Sequence, residues 1–218
     1  PECAPAGFVD DETRRRALWR VREDGAGLSA RLVDPDAEGE STHESWPGWE
    51  DAAVAPDRLA DYLDDFTALL DEFDLTGVMY GHFGAGCMHV RITFDLRTAE
   101  GRDVMSRFCT RAAQLVVSHG GSLSGEHGDG RARSALLPIM YSDAMLHAFA
   151  EFSEIWDPTG ILNPGSIVEP RPITADLALA DVPDRQWHTH GTNDSSAGSV
   201  SLDPFVHAVQ GCIGVGRF

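Results

Sequence analysis

Basic residues are scarce in this 218-residue sequence, and the shortage limits its possible partners. There are 17 lysines and arginines against 35 aspartates and glutamates, which gives a net charge of −18. Nucleic acids and anionic membranes bind basic surfaces, so neither is expected as a partner. The sequence also has no apolar run near the roughly 20 residues of a membrane span, and no membrane span is predicted.

Other recognisable patterns are missing as well. The four cysteines, at positions 3, 87, 109 and 212, form no C-x-x-C pair, which argues against a disulfide framework or a zinc ribbon. A reducing, cytoplasmic compartment is therefore expected. No G-x-G-x-x-G motif and no P-loop occurs. The first residues, Pro-Glu-Cys-Ala-Pro, resemble no signal peptide and include no initiator Met, so the chain is interpreted as a fragment or a processed protein.

Apolar periodicity predicts three main helices, because apolar residues recur at steps of three and four. They cover residues 56–73, 102–118 and 142–156. A short helix is also predicted within residues 1–20, with Trp19 docked on a core.

Alternating apolar residues predict short strands at 78–80 and 90–94, and a further strand is expected around 28–33 within an otherwise loop-like segment. Helix, strand, loop and strand in this order are typical of an α+β domain with an antiparallel sheet. Beyond residue 170 the sequence is rich in Asp, Ser, Thr, Gly and Pro, which predicts a linker or an extended tail.

Two glycine-rich stretches carry the candidate chemistry. The first, Gly81–His89, places His82 and His89 on a turn between two predicted strands, and the second, Gly120–Gly130, contributes Glu126. Two imidazoles and a carboxylate can hold zinc, manganese or iron(II) with positions left open for a substrate. Spacing alone leaves a second interpretation open, in which both histidines are hydrogen-bonded loop residues. Arg131 and Arg133 follow closely and would neutralise the site or grip an acid.

The two stretches, followed by Asp157-Pro158 and Leu162-Asn163-Pro164-Gly165, resemble a known family. It is the C-terminal (cap and substrate) domain of FAD-linked oxidases, of the D-lactate dehydrogenase and glycolate oxidase type within the vanillyl-alcohol oxidase superfamily. The resemblance covers roughly residues 18–168. It implies an α+β fold with an antiparallel, ferredoxin-like sheet covered by helices over residues 1–170, and a linker and tail over residues 171–218.

The resemblance also implies roles for individual residues. His82, His89 and Glu126 correspond to metal ligands, and His127 corresponds to the active-site base. Arg22 resembles the arginine that grips a substrate carboxylate. Asn163 and Gly165 correspond to a turn that approaches the flavin. These two residues and Glu126 are the expected cofactor-binding residues. The implied reaction oxidises a 2-hydroxy acid to a 2-oxo acid, with hydride transfer to FAD.

The sequence departs from the family pattern in two places, and its tail carries a second resemblance. Ala85 replaces the usual Asp and Cys87 the frequent Asn, which puts support of the ligands and contacts to the substrate in question. In the tail, the sequence around Cys212 resembles the start of an iron–sulfur domain, but one thiolate cannot hold a cluster that needs four ligands.

The family's FAD-binding domain normally precedes this region. We therefore expect FAD to be bound mainly by an upstream domain, an iron–sulfur domain to follow, and the isolated chain to be inactive. Two alternatives remain open at this point. One is a metal-dependent hydrolase that uses His127 or Glu126 as its base, and the other is a non-catalytic remnant that serves the assembly of a flavoprotein.

Overall fold

A computed structural model describes residues 7–29, 31–33 and 42–177 of the chain. The chain divides into two compact units, and the larger spans Val33–Pro183. The other unit contains helix α1 (Glu12–Leu28). Asp11 begins this helix, because its side-chain oxygen accepts a hydrogen bond from the amide of Arg14 at 2.7 Å.

Helix α1 differs from the prediction in length and in packing. It continues through residues 21–28, which were expected to be a loop; no proline interrupts this segment, and the helix includes both Gly25 and Gly27. Trp19 is 58% exposed, so its predicted docking on a core is wrong. The strand expected nearby is confirmed as β1 (Arg31–Val33), and a further short strand, β2, covers Thr42–Glu44.

A three-stranded antiparallel sheet lies at the centre of the larger unit. Its strands are β3 (Ala52–Ala53), β4 (Gly77–His82) and β5 (Cys87–Ile92), in the order β3-β5-β4. The two longer strands were predicted from the sequence and form a hairpin. Strand β3 was not predicted, because two residues are too few to show an alternating pattern.

Two helices pack their apolar stripes together in the core. Helix α2 (Leu59–Glu72) follows a 3-10 turn, and α3 (Ala99–Ser118) begins at Thr98, whose hydroxyl accepts a hydrogen bond from the amide of Gly101 at 3.1 Å. This cap starts α3 three residues before the predicted position. The largest fully buried side chains of the core are Trp49, Tyr62, Phe66, Phe94, Phe108 and Met88.

The remaining helices lie in the C-terminal half of the unit's sequence. Short helices α4 (Gly130–Arg133) and α5 (Leu137–Met140) were not predicted, whereas α6 (Asp143–Trp156) confirms the third long helix. No residue of α6 is buried, and its apolar side chains Phe152 and Trp156 are 66% and 72% exposed. Among the helices of the described ranges, none is long and apolar enough to cross a membrane.

The described part of the predicted tail folds back instead of extending. Residues 173–176 form a turn, and Arg131 donates hydrogen bonds to the backbone oxygens of Arg171, Pro172 and Ala175 at 2.9–3.3 Å. The rest of that prediction, including Cys212, lies outside the described residues.

Candidate functional site

His82 and His89 lie on the same face of the β4–β5 hairpin. Tyr80 is directly opposite His89 in the antiparallel register, and His82 is two residues further along the same strand. Because side chains two residues apart share a face, His82 is the diagonal neighbour of His89 across the pair. Their ring centroids are 5.8 Å apart. A spacing of seven residues therefore brings both imidazoles together, as the motif predicted.

The hairpin turn depends on Gly86. This residue has a φ of 75°, and a Cβ atom added to it would lie 1.9 Å from the backbone oxygen of Val54. The amide of Val54 donates a hydrogen bond to the oxygen of Gly86 at 3.0 Å. Glycine is required here both by the left-handed conformation and by the close approach of another chain segment.

The carboxylate of Glu126 is the centre on which the histidines converge. Its Oε1 atom lies 3.0 Å from Nε2 of His89, 3.3 Å from Nε2 of His82 and 3.7 Å from Nε2 of His127. His89 is buried, whereas the other three side chains are 44–46% exposed. We call these four residues the histidine–glutamate cluster. It is open to solvent on one side, as a site for a small molecule requires.

His127 is held against His89 and Glu50. Its ring stacks on that of His89 with centroids 4.7 Å apart and planes 7° from parallel. Its Nδ1 atom lies 3.3 Å from Oε1 of Glu50. These contacts leave its Nε2 atom on the side of Glu126, where a proton can be exchanged with a bound molecule.

Asp51 lies on the buried side of the cluster, and no sequence motif pointed to it. It is fully buried, and its carboxylate accepts hydrogen bonds from the hydroxyl of Ser124 and the amides of Glu126 and His127. Burial raises the pKa of Asp51, but these hydrogen bonds outweigh burial and the pKa lies below its ordinary value. No motif or spacing marks Glu50 or Asp51, because their partners lie 36 to 77 residues away.

The donor set of the cluster fits a divalent cation. The backbone oxygen of Glu50 lies 3.1 Å from Nδ1 of His89, and the carboxylate of Glu126 lies 3.0 Å from its Nε2. A neutral imidazole can donate to only one of two acceptors, so a positive species between Nε2 and Glu126 suits this arrangement. Two or three imidazole nitrogens with one carboxylate are typical ligands of zinc, manganese and iron(II).

Asp51 also lies near His89, Glu126 and His127, with ligand-type atoms of all four within 4.8 Å of one another. Its carboxylate is already used as an acceptor by the Ser124–His127 segment, so it is less suited to hold a cation than the exposed Glu126. This group of four does not include His82, and the ligand roles of His82, His89 and Glu126 stay a prediction.

The cofactor-turn residues named from the sequence lie apart from these contacts. Asn163 and Gly165 are in the exposed turn after α6, with φ values of 53° and 78°, and no described contact joins them to the cluster. Arg22 lies in helix α1, and its side chain is outside the described part of the structure.

Two roles were predicted for the arginines after the second glycine stretch. Gripping an acid does not agree with their contacts, whereas neutralising the site stays a prediction. Arg131 binds the backbone carbonyls of residues 171–175, and Arg133 is 3% exposed and donates a hydrogen bond to the oxygen of Gly128 at 2.6 Å. Arg131 thus binds a segment 40 or more residues further along the chain, and Arg133 binds a carbonyl five residues before it. Neither is placed by these contacts to grip an acid.

The two departures from the family motif occupy different environments. Ala85 is exposed in the 3-10 turn of the hairpin. Cys87 is buried, as its simplest interpretation predicted, with its Sγ atom 3.6 Å from Oδ1 of Asp51. Burial, followed by the charges of Asp51 and Glu126, raises the pKa of the Cys87 thiol to about 11. The thiol of the metal-free chain is therefore protonated near neutral pH.

Several known proteins are similar to this chain. D-2-hydroxyglutarate dehydrogenase of Pseudomonas putida is 38% identical over 153 residues, which are 70% of this chain and 14% of that protein. D-2-hydroxyglutarate dehydrogenase of Pantoea ananatis is 31% identical over 178 residues, covering 82% and 17%. D-lactate dehydrogenase of Anaerostipes hadrus is 28% identical over 160 residues, covering 73% and 31%.

The chain thus spans less than a fifth of the length of the D-2-hydroxyglutarate dehydrogenases that it matches. The family model described as "FAD linked oxidases, C-terminal domain" matches residues 3–167. The antiparallel sheet with its helices agrees with the α+β fold that the sequence motifs implied. The chain belongs to the family of FAD linked oxidases, of which it contains the C-terminal domain.

Proposed function

We propose that this chain binds the substrate in a flavin-dependent oxidoreductase that converts a 2-hydroxy acid to a 2-oxo acid. The observation that carries the proposal is the convergence of three imidazole Nε2 atoms on Oε1 of Glu126 in a member of this family. The relatives support the substrate class by their names, because D-2-hydroxyglutarate and D-lactate both carry a hydroxyl next to a carboxylate. The oxidation belongs to the whole protein, and the isolated chain is expected to be inactive.

In this proposal His82, His89 and Glu126 hold a divalent cation, with zinc, manganese and iron as the candidates. When bound, such a cation attracts the carboxylate and the hydroxyl of the substrate and lowers the pKa of that hydroxyl. Both histidines lie on the β4–β5 hairpin, so the fold sets their positions before a substrate binds. The exposed side of Glu126 leaves room for a small acid.

His127 accepts the hydroxyl proton at its Nε2 atom, because Glu50 occupies the region of its Nδ1 atom. A bound flavin would supply the two-electron acceptor for the C2 hydrogen, which is lost as hydride. Loss of one proton and one hydride from the alcohol gives the ketone of the 2-oxo acid. Arg22 is proposed to bind the substrate carboxylate through its guanidinium group.

The flavin-binding part is proposed to pack on the apolar surface of α6 and the turn that follows. Phe152, Ile155 and Trp156 are 66–73% exposed on this helix, and Ile161 and Leu162 continue the surface at 75% and 73%. Contiguous apolar side chains of this size are typical of a buried contact. The adjoining Asn163–Gly165 turn would then face the flavin.

An iron–sulfur domain is proposed as the electron acceptor downstream, with the complete protein in the cytoplasm.

Metal analysis of the purified chain tests the proposal. About one zinc, manganese or iron ion per chain is expected. His89→Ala should remove it, because the two remaining ligand side chains do not hold the cation by themselves. His147→Ala is the matched control, since His147 is exposed on α6 with Glu151 as its neighbour and should keep the metal.

The second measurement uses the complete flavoprotein. It should reduce a dye with a 2-hydroxy acid, and His89→Ala should abolish this activity. A metal-free wild-type chain would contradict the proposed ligands. Metal retained in a complete protein that oxidises no 2-hydroxy acid would instead favour the non-catalytic alternative, and ester turnover by the chain alone would favour a hydrolase.

A further inference from the structure

We propose that Glu50 and Asp51 are positioning residues that set the orientation of the histidine–glutamate cluster. Their importance for turnover rests on the proposed function, but their effect on ring orientation and backbone shape does not. Neither residue is needed to contact the substrate. Their contacts lie on the protein side of the cluster, which distinguishes them from the ligands and from the base.

Asp51 binds four consecutive residues of the second glycine stretch. Its carboxylate accepts hydrogen bonds from the Ser124 hydroxyl at 2.5 Å, the His127 amide at 2.8 Å and the Glu126 amide at 3.1 Å. Its backbone oxygen accepts one from the amide of Gly125 at 2.5 Å. One fully buried residue therefore fixes the backbone from which the side chains of Glu126 and His127 emerge.

The close approach of this segment requires Gly125. A Cβ atom there would lie 2.8 Å from Sγ of Cys87 and 3.0 Å from Cβ of Ala53. The segment at Gly125 thus packs tightly against Cys87 of β5 and Ala53 of β3. Because the carboxylate carries several charge-assisted hydrogen bonds in a buried position, removing its charge should move the backbone of residues 124–127.

Glu50 sets the orientation of both stacked rings. Its backbone oxygen lies 3.1 Å from Nδ1 of His89, and its carboxylate lies 3.3 Å from Nδ1 of His127. A carbonyl oxygen only accepts hydrogen bonds, so this contact forms when Nδ1 of His89 carries the hydrogen, and Nε2 can then bind a cation beside Glu126. The carboxylate imposes the same arrangement on His127. Both rings therefore present Nε2 to the same carboxylate oxygen.

Strand β3 places the pair at this point. Ala52 pairs with Met88 on β5, while Ala53 pairs with Cys87 and also forms an isolated bridge to Ser122. Residues 50 and 51 directly precede this strand. They consequently lie between the hairpin that carries His89 and the segment that carries His127.

Imidazole nitrogen NMR of the metal-free chain tests the role of Glu50. In its neutral form, wild-type His127 should show one tautomer, with its hydrogen on Nδ1. Glu50→Ala should give a mixture of tautomers at His127, and Glu50→Gln should restore the single form because its amide oxygen still accepts. His89 is an internal control, since the partner of its Nδ1 atom is the backbone oxygen of Glu50, which both substitutions keep. Unchanged His127 signals in Glu50→Ala would overturn the assignment.

Metal titration tests the role of Asp51. Asp51→Asn should weaken binding of Zn²⁺ or Mn²⁺ by about 10- to 100-fold, whereas Asp61→Asn, on the exposed side of α2, should leave it unchanged. If Asp51→Asn does not fold, Ser124→Ala removes one of the hydrogen bonds and should weaken binding severalfold with an unchanged circular dichroism spectrum. Wild-type affinity in a folded Asp51→Asn or in Ser124→Ala would overturn the role.

The two measurements separate this inference from the proposed function. If the wild-type chain binds none of Zn²⁺, Mn²⁺ and Fe²⁺, the proposed ligands are wrong, and the tautomer of His127 alone decides whether Glu50 orients the ring. If the metal binds but the tautomer of His127 is independent of Glu50, the proposed function stands and the positioning role of Glu50 does not.

Discussion

The imidazole rings of His89 and His127 stack face to face, with centroids 4.7 Å apart and planes only 7° from parallel. His89 is buried on strand β5, whereas the side chain of His127 is 45% exposed. A rigid, buried ring thus supports an accessible one. In the proposed function this contact joins a metal ligand to the base, and the two roles can be separated by substitution.

The substitution His127→Phe should separate binding from proton transfer. Phenylalanine keeps a flat ring against His89 but accepts no proton, so dye reduction by the complete flavoprotein should fall about 100-fold or more. The metal content should remain that of the wild type. Metal analysis and steady-state kinetics of the same preparation measure both effects, with His147→Phe as the control. Full activity in His127→Phe would exclude this residue as the base.

The hairpin turn should tolerate alanine at one glycine and not at another. Gly86→Ala forces a left-handed residue and places Cβ 1.9 Å from the backbone oxygen of Val54, so we expect a loss of about 2–4 kcal/mol in the free energy of unfolding. Gly84→Ala meets no atom within 4 Å and should change it by about 1 kcal/mol or less. Urea unfolding of both variants gives the comparison, and equal losses would contradict it.

Two phenylalanines should differ in their contribution to stability. Phe108 is fully buried and packs against the rings of Phe66, Phe73 and Phe94 with centroids 5.5–5.9 Å apart. Phe108→Ala should therefore cost about 3–5 kcal/mol.

Phe152 is 66% exposed on α6, and Phe152→Ala should change the stability of the isolated chain by about 0.5 kcal/mol or less. In the complete flavoprotein the same substitution should weaken flavin retention, because the proposed contact surface loses an apolar ring. Urea unfolding and the flavin absorbance per chain measure the two effects. A large loss of stability in the isolated chain would show that α6 packs within this domain.

The buried thiol of Cys109 should make stability depend on alkaline pH. Burial raises its pKa to about 12, against about 8.5 in an unfolded chain. The folded state then holds a proton that the unfolded state loses, so stability is fully present below about pH 8.5 and falls as pH rises toward 12. Urea unfolding at pH 8 and pH 10 should show a smaller decrease in Cys109→Ala than in the wild type. Equal decreases would mean that Cys109 does not contribute.

Several features followed from the sequence because they depend on near neighbours. Apolar stripes marked helices α2, α3 and α6, since a helical period is visible within one segment. The seven-residue spacing across a glycine turn placed His82 and His89 on one face, since a hairpin has few possible registers. Glu126 and His127 were recognised through their motif, and the family assignment followed from the order of three motifs.

The tertiary structure alone decided the surroundings of the cluster. Glu50 and Asp51 carry no local pattern, and they reach the histidines only because the two-residue strand β3 pairs with β5. The exposure of the α6 stripe was equally unreadable, since periodicity predicts an apolar face but not what covers it. The sequence by itself determined which groups can perform the chemistry, because those groups are encoded locally. Folding decided which acceptors lie beside them, because such contacts join residues 39 to 77 positions apart.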